Sequence, residues 1–167
     1  MRPRIVLALT SAIVATTPIP DFTGAWELNP AASDNVEQAI KQATSSMNFI
    51  VKPIARSRLK KVNRPHPNMF VQERADTVSI AYNEQLPMVT PLDGTTVKWK
   101  NEEGETFALS VTRTEETLVQ HFVAPDGERF NEFRQSAAGD TLYLGVTIKS
   151  PRLKQPLQYR LVYQRKK

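Results

Sequence analysis

The stretch Phe22-Thr-Gly-Ala-Trp-Glu-Leu-Asn29 decides the fold. Alternation places Phe22, Gly24, Trp26 and Leu28 on one face of a strand, and Thr23, Ala25, Glu27 and Asn29 on the other. A tryptophan near the start of a strand, two residues after a glycine, suits the floor of a small closed sheet. The glycine admits a close crossing of another backbone, and the indole fills the bottom.

Downstream of this strand, from Met69 onward, apolar residues recur with a period of two. Strands are expected over residues 70–75, 77–83, 95–100, 105–113, 118–124, 128–135, 141–149 and 157–165. Thr90-Pro-Leu-Asp-Gly94, Asn101-Glu-Glu-Gly104, Pro125-Asp-Gly127 and Ala138-Gly-Asp140 read as the turns between them. The inward set is Val78, Val97, Trp99, Phe107, Leu109, Val111, Leu142, Leu144 and Leu161. On the strand over 128–135, Phe130, Glu132 and Arg134 share the face opposite Phe133, which reads either as its solvent side or, through Glu132 and Arg134, as a polar floor for a ligand head group. Short connections favour sequential antiparallel neighbours, and a long meander closes to remove its edges. The sequence therefore predicts an all-β fold with a short two-helix insert: an up-and-down antiparallel barrel of about 8–10 strands, wide enough to hold a small ligand.

The insert, at about residues 34–63, changes the period to that of a helix. Ser33 or Asp34 is placed to cap it, and Val36, Ala39, Ile40, Ala43 and Met47 recur at helical spacing. Pro53 is expected to divide the insert into two helices. The second, over residues 52–62, carries Ile54, Leu59 and Val62. It is also strongly basic, through Lys52, Arg56, Arg58, Lys60 and Lys61, with Arg64 following. Such a helix is either a solvated lid or a surface for an anionic membrane. Aromatics do not interleave with these charges, which argues against nucleic acid as a partner.

Upstream, Arg2 and Arg4 precede an apolar run over residues 5–15. This is the pattern of a cleavable signal peptide, too short to span a bilayer. Cleavage after Ala15 or Thr17 leaves one domain, residues 18–167, and a periplasmic or secreted protein. Loss of Arg2 and Arg4 lowers the formal charge of +5 by two. The 167 residues contain no cysteine, which removes disulfides, thiolate metal sites and cysteine nucleophiles. The isolated His66 and His121 lack metal-ligand spacing, no phosphate loop or nucleophile elbow occurs, and no pattern calls for a cofactor.

The Phe-Thr-Gly-Ala-Trp-Glu-Leu-Asn opening resembles the Gly-x-Trp first strand of the calycin superfamily, the lipocalins and fatty-acid-binding proteins. One strand, two short helices and a long meander resemble the fatty-acid-binding arrangement more than the lipocalin one. The chain is also similar to uncharacterised secreted bacterial lipocalin-like proteins. The closing Tyr159-Arg-Leu-Val-Tyr-Gln-Arg165 resembles the Arg-x-Tyr end of the family. Its order here is Tyr163-Gln-Arg165, so the family's anion anchor does not carry over directly.

The resemblance implies that a last-strand arginine stacks on the first-strand tryptophan, which assigns Arg165 to Trp26. Arg160 and Arg165 are also the candidates for holding a ligand carboxylate. The expected function is binding of a small hydrophobic or amphipathic ligand, lined by Trp99, Phe107, Leu109, Tyr159, Tyr163 and Arg165, without catalysis. The alternatives are a filled barrel acting at the envelope through its basic helix or outer face, and a hydrolase or isomerase that uses the cavity.

Overall fold

Alternating apolar residues become a barrel wall when every strand turns the same face inward. The computed structural model describes residues 19–101 and 104–167; the expected signal segment, residues 1–17, lies outside them. The chain forms β1 (Gly24–Leu28), α1 (Val36–Ala43), α2 (Val51–Val62), β2 (Asn68–Glu73), β3 (Thr77–Tyr82), β4 (Met88–Pro91), β5 (Val97–Lys100), β6 (Thr106–Arg113), β7 (Thr117–Ala124), β8 (Gly127–Gln135), β9 (Thr141–Lys149) and β10 (Leu157–Arg165). One sheet runs β4-β3-β2-β1-β10-β9-β8-β7-β6-β5, antiparallel throughout. Its ends are β4 and β5, and the segment after β4 closes onto β6 through an Asp93–Thr112 bridge and the Gly94 N–H, which donates to the Val111 carbonyl at 2.9 Å. The expected meander is present with one strand more. β4 lies where a turn at Thr90-Pro-Leu-Asp-Gly94 was expected. Its closing Pro91 is tolerated because β4 is an edge strand with no neighbour to receive an N–H.

The barrel is sealed at the end where β1 begins. Trp26 is fully buried, and its Nε1 donates to the Phe22 carbonyl at 3.0 Å. The Arg165 guanidinium lies 4.3 Å from the indole centroid. It donates to the carbonyls of Gly139 (2.8 Å), Asp21 (3.0 Å) and Thr23. Gly24 is needed for this packing, but not for the expected backbone crossing. With φ at +154°, a β-carbon there would sit 2.5 Å from Arg165 Nη1, so the glycine makes room for a side chain. Phe22 is buried beneath Arg113, which lies 4.8 Å from its ring centroid and pairs with Glu73 at 3.2 Å. Burial raises the Glu73 carboxyl, while the Arg113 charge opposes the rise.

The helices cover the other end. Asn35, rather than Ser33 or Asp34, caps α1, its side chain accepting the Gln38 N–H at 3.0 Å. The two expected caps face β10 instead: Ser33 Oγ accepts the Val162 N–H at 2.9 Å and Asp34 Oδ2 the Arg160 N–H at 2.7 Å. α1 buries Val36, Ile40 and Ala43. The break between helices falls over residues 44–50 rather than at Pro53. Pro53 sits in the first turn of α2, where its missing N–H costs nothing, and Met47 lies in the break. α2 buries none of its residues. It is held by ion pairs, Lys60–Glu37 at 3.1 Å and Arg58 to both Glu105 and Asp126 at 3.6 Å, the last two belonging to the rim turns after β5 and β7. Exposed pairs of this kind contribute little each; hydrogen bonds from Arg56 Nε to Thr44 Oγ1 at 2.9 Å and from Lys52 Nζ to the Ser45 carbonyl at 2.8 Å add to them.

Candidate ligand site inside the barrel

Two strands break the apolar inner face. β7 turns Leu118, Gln120 and Phe122 inward. β8 sets Phe133, Asn131 and Arg129 opposite them in register. The half-buried Arg129 is the centre of a connected polar cluster. Its Nε donates to Asn131 Oδ1 (2.8 Å), its Nη1 to Asn63 Oδ1 (3.1 Å) and the Val62 carbonyl (3.4 Å), and its Nη2 to Tyr159 Oη (3.4 Å). Tyr159 Oη donates to Asn63 Oδ1 at 3.0 Å. Asn63 Nδ2 donates to the Leu59 carbonyl at 2.8 Å and so closes the C-terminus of α2. The cluster therefore ties the inner wall to the end of the lid helix.

Every one of those Arg129 partners is neutral, and among the described residues no carboxylate forms an ion pair with it. A guanidinium keeps its charge at any ordinary pH. Half-buried with neutral partners only, it offers its charge to an anion from outside the protein. Burial pushes the Tyr82 phenol up to about 12 and raises Tyr159 and Tyr163 also, while the Arg129 charge opposes the rise in all three. All three are therefore neutral phenols at neutral pH, and no phenolate competes for the guanidinium.

An aromatic wall adjoins the cation. Phe122, the register partner of Arg129, packs edge-on against Trp99 (5.6 Å between centroids) and Phe107 (6.5 Å), and Trp99 lies 5.6 Å from Phe107. Trp99 and Phe107 are half-buried and Leu109 is buried. A cation whose register partner belongs to a cluster of three rings suits a molecule with an anionic head and an apolar body. Two hollows on the outer wall, of about 610 Å³ beside Phe70 and Lys166 and about 280 Å³ over Gly145, open broadly to solvent. A head group gains little over water there, and the half-buried Arg129 offers it more shelter.

The sequence matches no family model and no curated protein. Solved structures do match along most of the chain. The REP1-NXSQ fatty acid transporter aligns over 87% of this chain and 96% of its own at 10% identity, with a TM-score of 0.57. A fatty-acid-binding protein from brain tissue of Drosophila melanogaster aligns over 86% and 99% at 16% identity, TM-score 0.57. A Schistosoma mansoni fatty-acid-binding protein in complex with arachidonic acid aligns over 90% and 99% at 18% identity, TM-score 0.57. The fold is calycin-like.

Within this calycin-like barrel the expected site residues divide between the two ends. Tyr159 bonds to Arg129, whereas Trp99 and Phe107 pack on Phe122, the register partner of Arg129, and Leu109 follows Phe107 on the same face of β6. Tyr163 is fully buried and donates to the His66 carbonyl at 3.1 Å. Arg165 lies at the sealed end: Arg129 is level with Ile148 at one end of β9, whereas Gln164 is level with Thr141 at the other. Arg160 faces outward, 5.8 Å from the Tyr143 ring. Arg129, Asn131, Gln120 and Asn63 were not singled out from sequence. The signal was present, since placing Phe133 inside places Arg129 and Asn131 inside with it, and a charge on an apolar face marks a site.

Proposed function

We propose that this protein is a secreted carrier of a small amphipathic anion, which lays its apolar body along Trp99, Phe107 and Phe122 and its anionic head on Arg129. The observation that carries the reading is the half-buried Arg129 with only neutral partners beside an aromatic wall. The ligand class is supported by the fold neighbours, described as fatty-acid-binding and fatty-acid-transporting proteins. Secretion rests on the signal-like pattern of residues 1–17, and no catalytic step is part of the proposal. Native mass spectrometry of the protein exported in its own host tests it. A stoichiometric adduct that disappears on organic extraction is the expected result. A bare mass, with no uptake of 1-anilinonaphthalene-8-sulfonate, would leave a filled barrel acting through its outer surface.

The cover supplies the route of exchange, by docking on an anionic membrane surface. Phe49, Ile50, Val51 and Ile54 are 80%, 64%, 53% and 69% exposed, and the segment also carries Lys52, Arg56, Arg58 and Lys60, whose partners within the protein lipid phosphates would replace. Apolar residues to insert and cations to meet lipid phosphates are the two parts of an interfacial helix. Transfer of a fluorescent fatty acid to vesicles is expected to quicken with phosphatidylglycerol content and to slow with salt. A transfer rate indifferent to both removes the membrane from the proposal.

A further inference from the structure

Hydrogen-bond chemistry orients the whole cluster from Arg129 inward. Arginine has donors only, so the Asn131 atom that receives its Nε at 2.8 Å is the amide oxygen. The Asn131 amide nitrogen must then point at Gln120, 3.2 Å away, and Gln120 must answer with its oxygen. This leaves the Gln120 Nε2 group, with two N–H donors, at the inner end of the ladder. Gln120 is fully buried, and its Nε2 has no hydrogen-bond partner among the described residues. The hydroxyl of Thr90, also fully buried, is in the same condition. A buried amide donor without a partner loses the hydrogen bonds it had with water and destabilises the fold. Gln120 accepts from the buried Asn131 amide through its oxygen, so it is held in place while its own amide donors stay unused.

We infer that Gln120 forms a second polar subsite of the carrier, selecting amphipathic anions that bear a hydrogen-bond acceptor within the chain, such as an oxo or hydroxy group. This rests on the carrier reading above and specifies its ligand further. The geometry sets the spacing. Asn131 and Arg129 are alternate residues of one strand, about 7 Å apart, and Gln120 lies opposite Asn131 in register. A carboxylate on Arg129 therefore places the acceptor roughly 7 Å further along the ligand.

The experiment is a titration of the full mature chain with octadecanoic acid and with oxo-octadecanoic acids whose keto group is moved along the chain. The matched oxo acid is expected to bind about five-fold tighter than the plain acid, the worth of one hydrogen bond to a buried donor. Gln120→Leu is expected to bring that ratio to about one. If the variant does not fold, the dependence on keto position in the wild-type protein still decides. Equal affinity for all acids overturns the subsite and leaves the amide to a buried water. Failure of every acid to bind overturns the carrier reading itself, and the subsite with it.

Discussion

Trp26→Ala is expected to lower the melting temperature of the mature protein by roughly 10–15 °C, the largest stability loss of any single truncation in the chain. The indole is fully buried at the sealed end, where it is hydrogen-bonded to the Phe22 carbonyl and covered by the Arg165 guanidinium at 4.3 Å. Its removal loses the transfer free energy of a large ring and leaves a cavity that the strands cannot close, about 3–5 kcal/mol together. The cavity also undoes the reason for the neighbouring packing. Arg165 would still reach the carbonyls of Asp21, Thr23 and Gly139, but over an empty floor. Far-UV circular dichroism during heating measures the loss. A shift under about 3 °C would mean that the end strands close the barrel without the tryptophan. Because this end lies away from Arg129, ligand affinity of the folded variant should stay close to that of the parent.

How much was legible in the sequence follows from what each residue depends on. The strands were readable because period-two alternation is local, and because Trp26, Leu109, Leu144 and Tyr163 had to be inside once any strand was oriented. β4 was not, because Thr90-Pro-Leu-Asp-Gly94 carries turn chemistry and an edge strand of four residues shows too little alternation to outweigh it. The cap of α1 was misplaced by one or two residues because Ser33, Asp34 and Asn35 are all competent caps. Only the docking of this segment on β10 assigns the first two elsewhere. The stacking of Arg165 on Trp26 was anticipated from family resemblance and is present. The site was the least legible part. Arg129 and Gln120 are separated by a turn, and their joint meaning depends on the β7–β8 register and on the end of a helix more than sixty residues away.

Arg129→Met is expected to weaken binding of oleate by roughly thirty-fold, while leaving the affinity for oleyl alcohol within about two-fold. The alcohol has the same body and no charge, so the difference isolates the head-group contact from the aromatic wall. Stability separates this reading from a structural one. Removing the guanidinium takes a donor from Asn131 Oδ1, while Asn63 Oδ1 keeps the Tyr159 hydroxyl at 3.0 Å. The loss of about 1 kcal/mol per abandoned partner is opposed by the relief of no longer sheltering a charge among neutral groups, which costs at least as much when the charge has no counter-ion. Urea unfolding of the ligand-free variant should therefore show stability equal to the parent or slightly above it. A residue that lowers stability and raises affinity is retained for binding. Should oleate and oleyl alcohol weaken together, or the variant lose several kcal/mol of stability, Arg129 is a pin that fastens α2 through Asn63, and the anion must be held elsewhere.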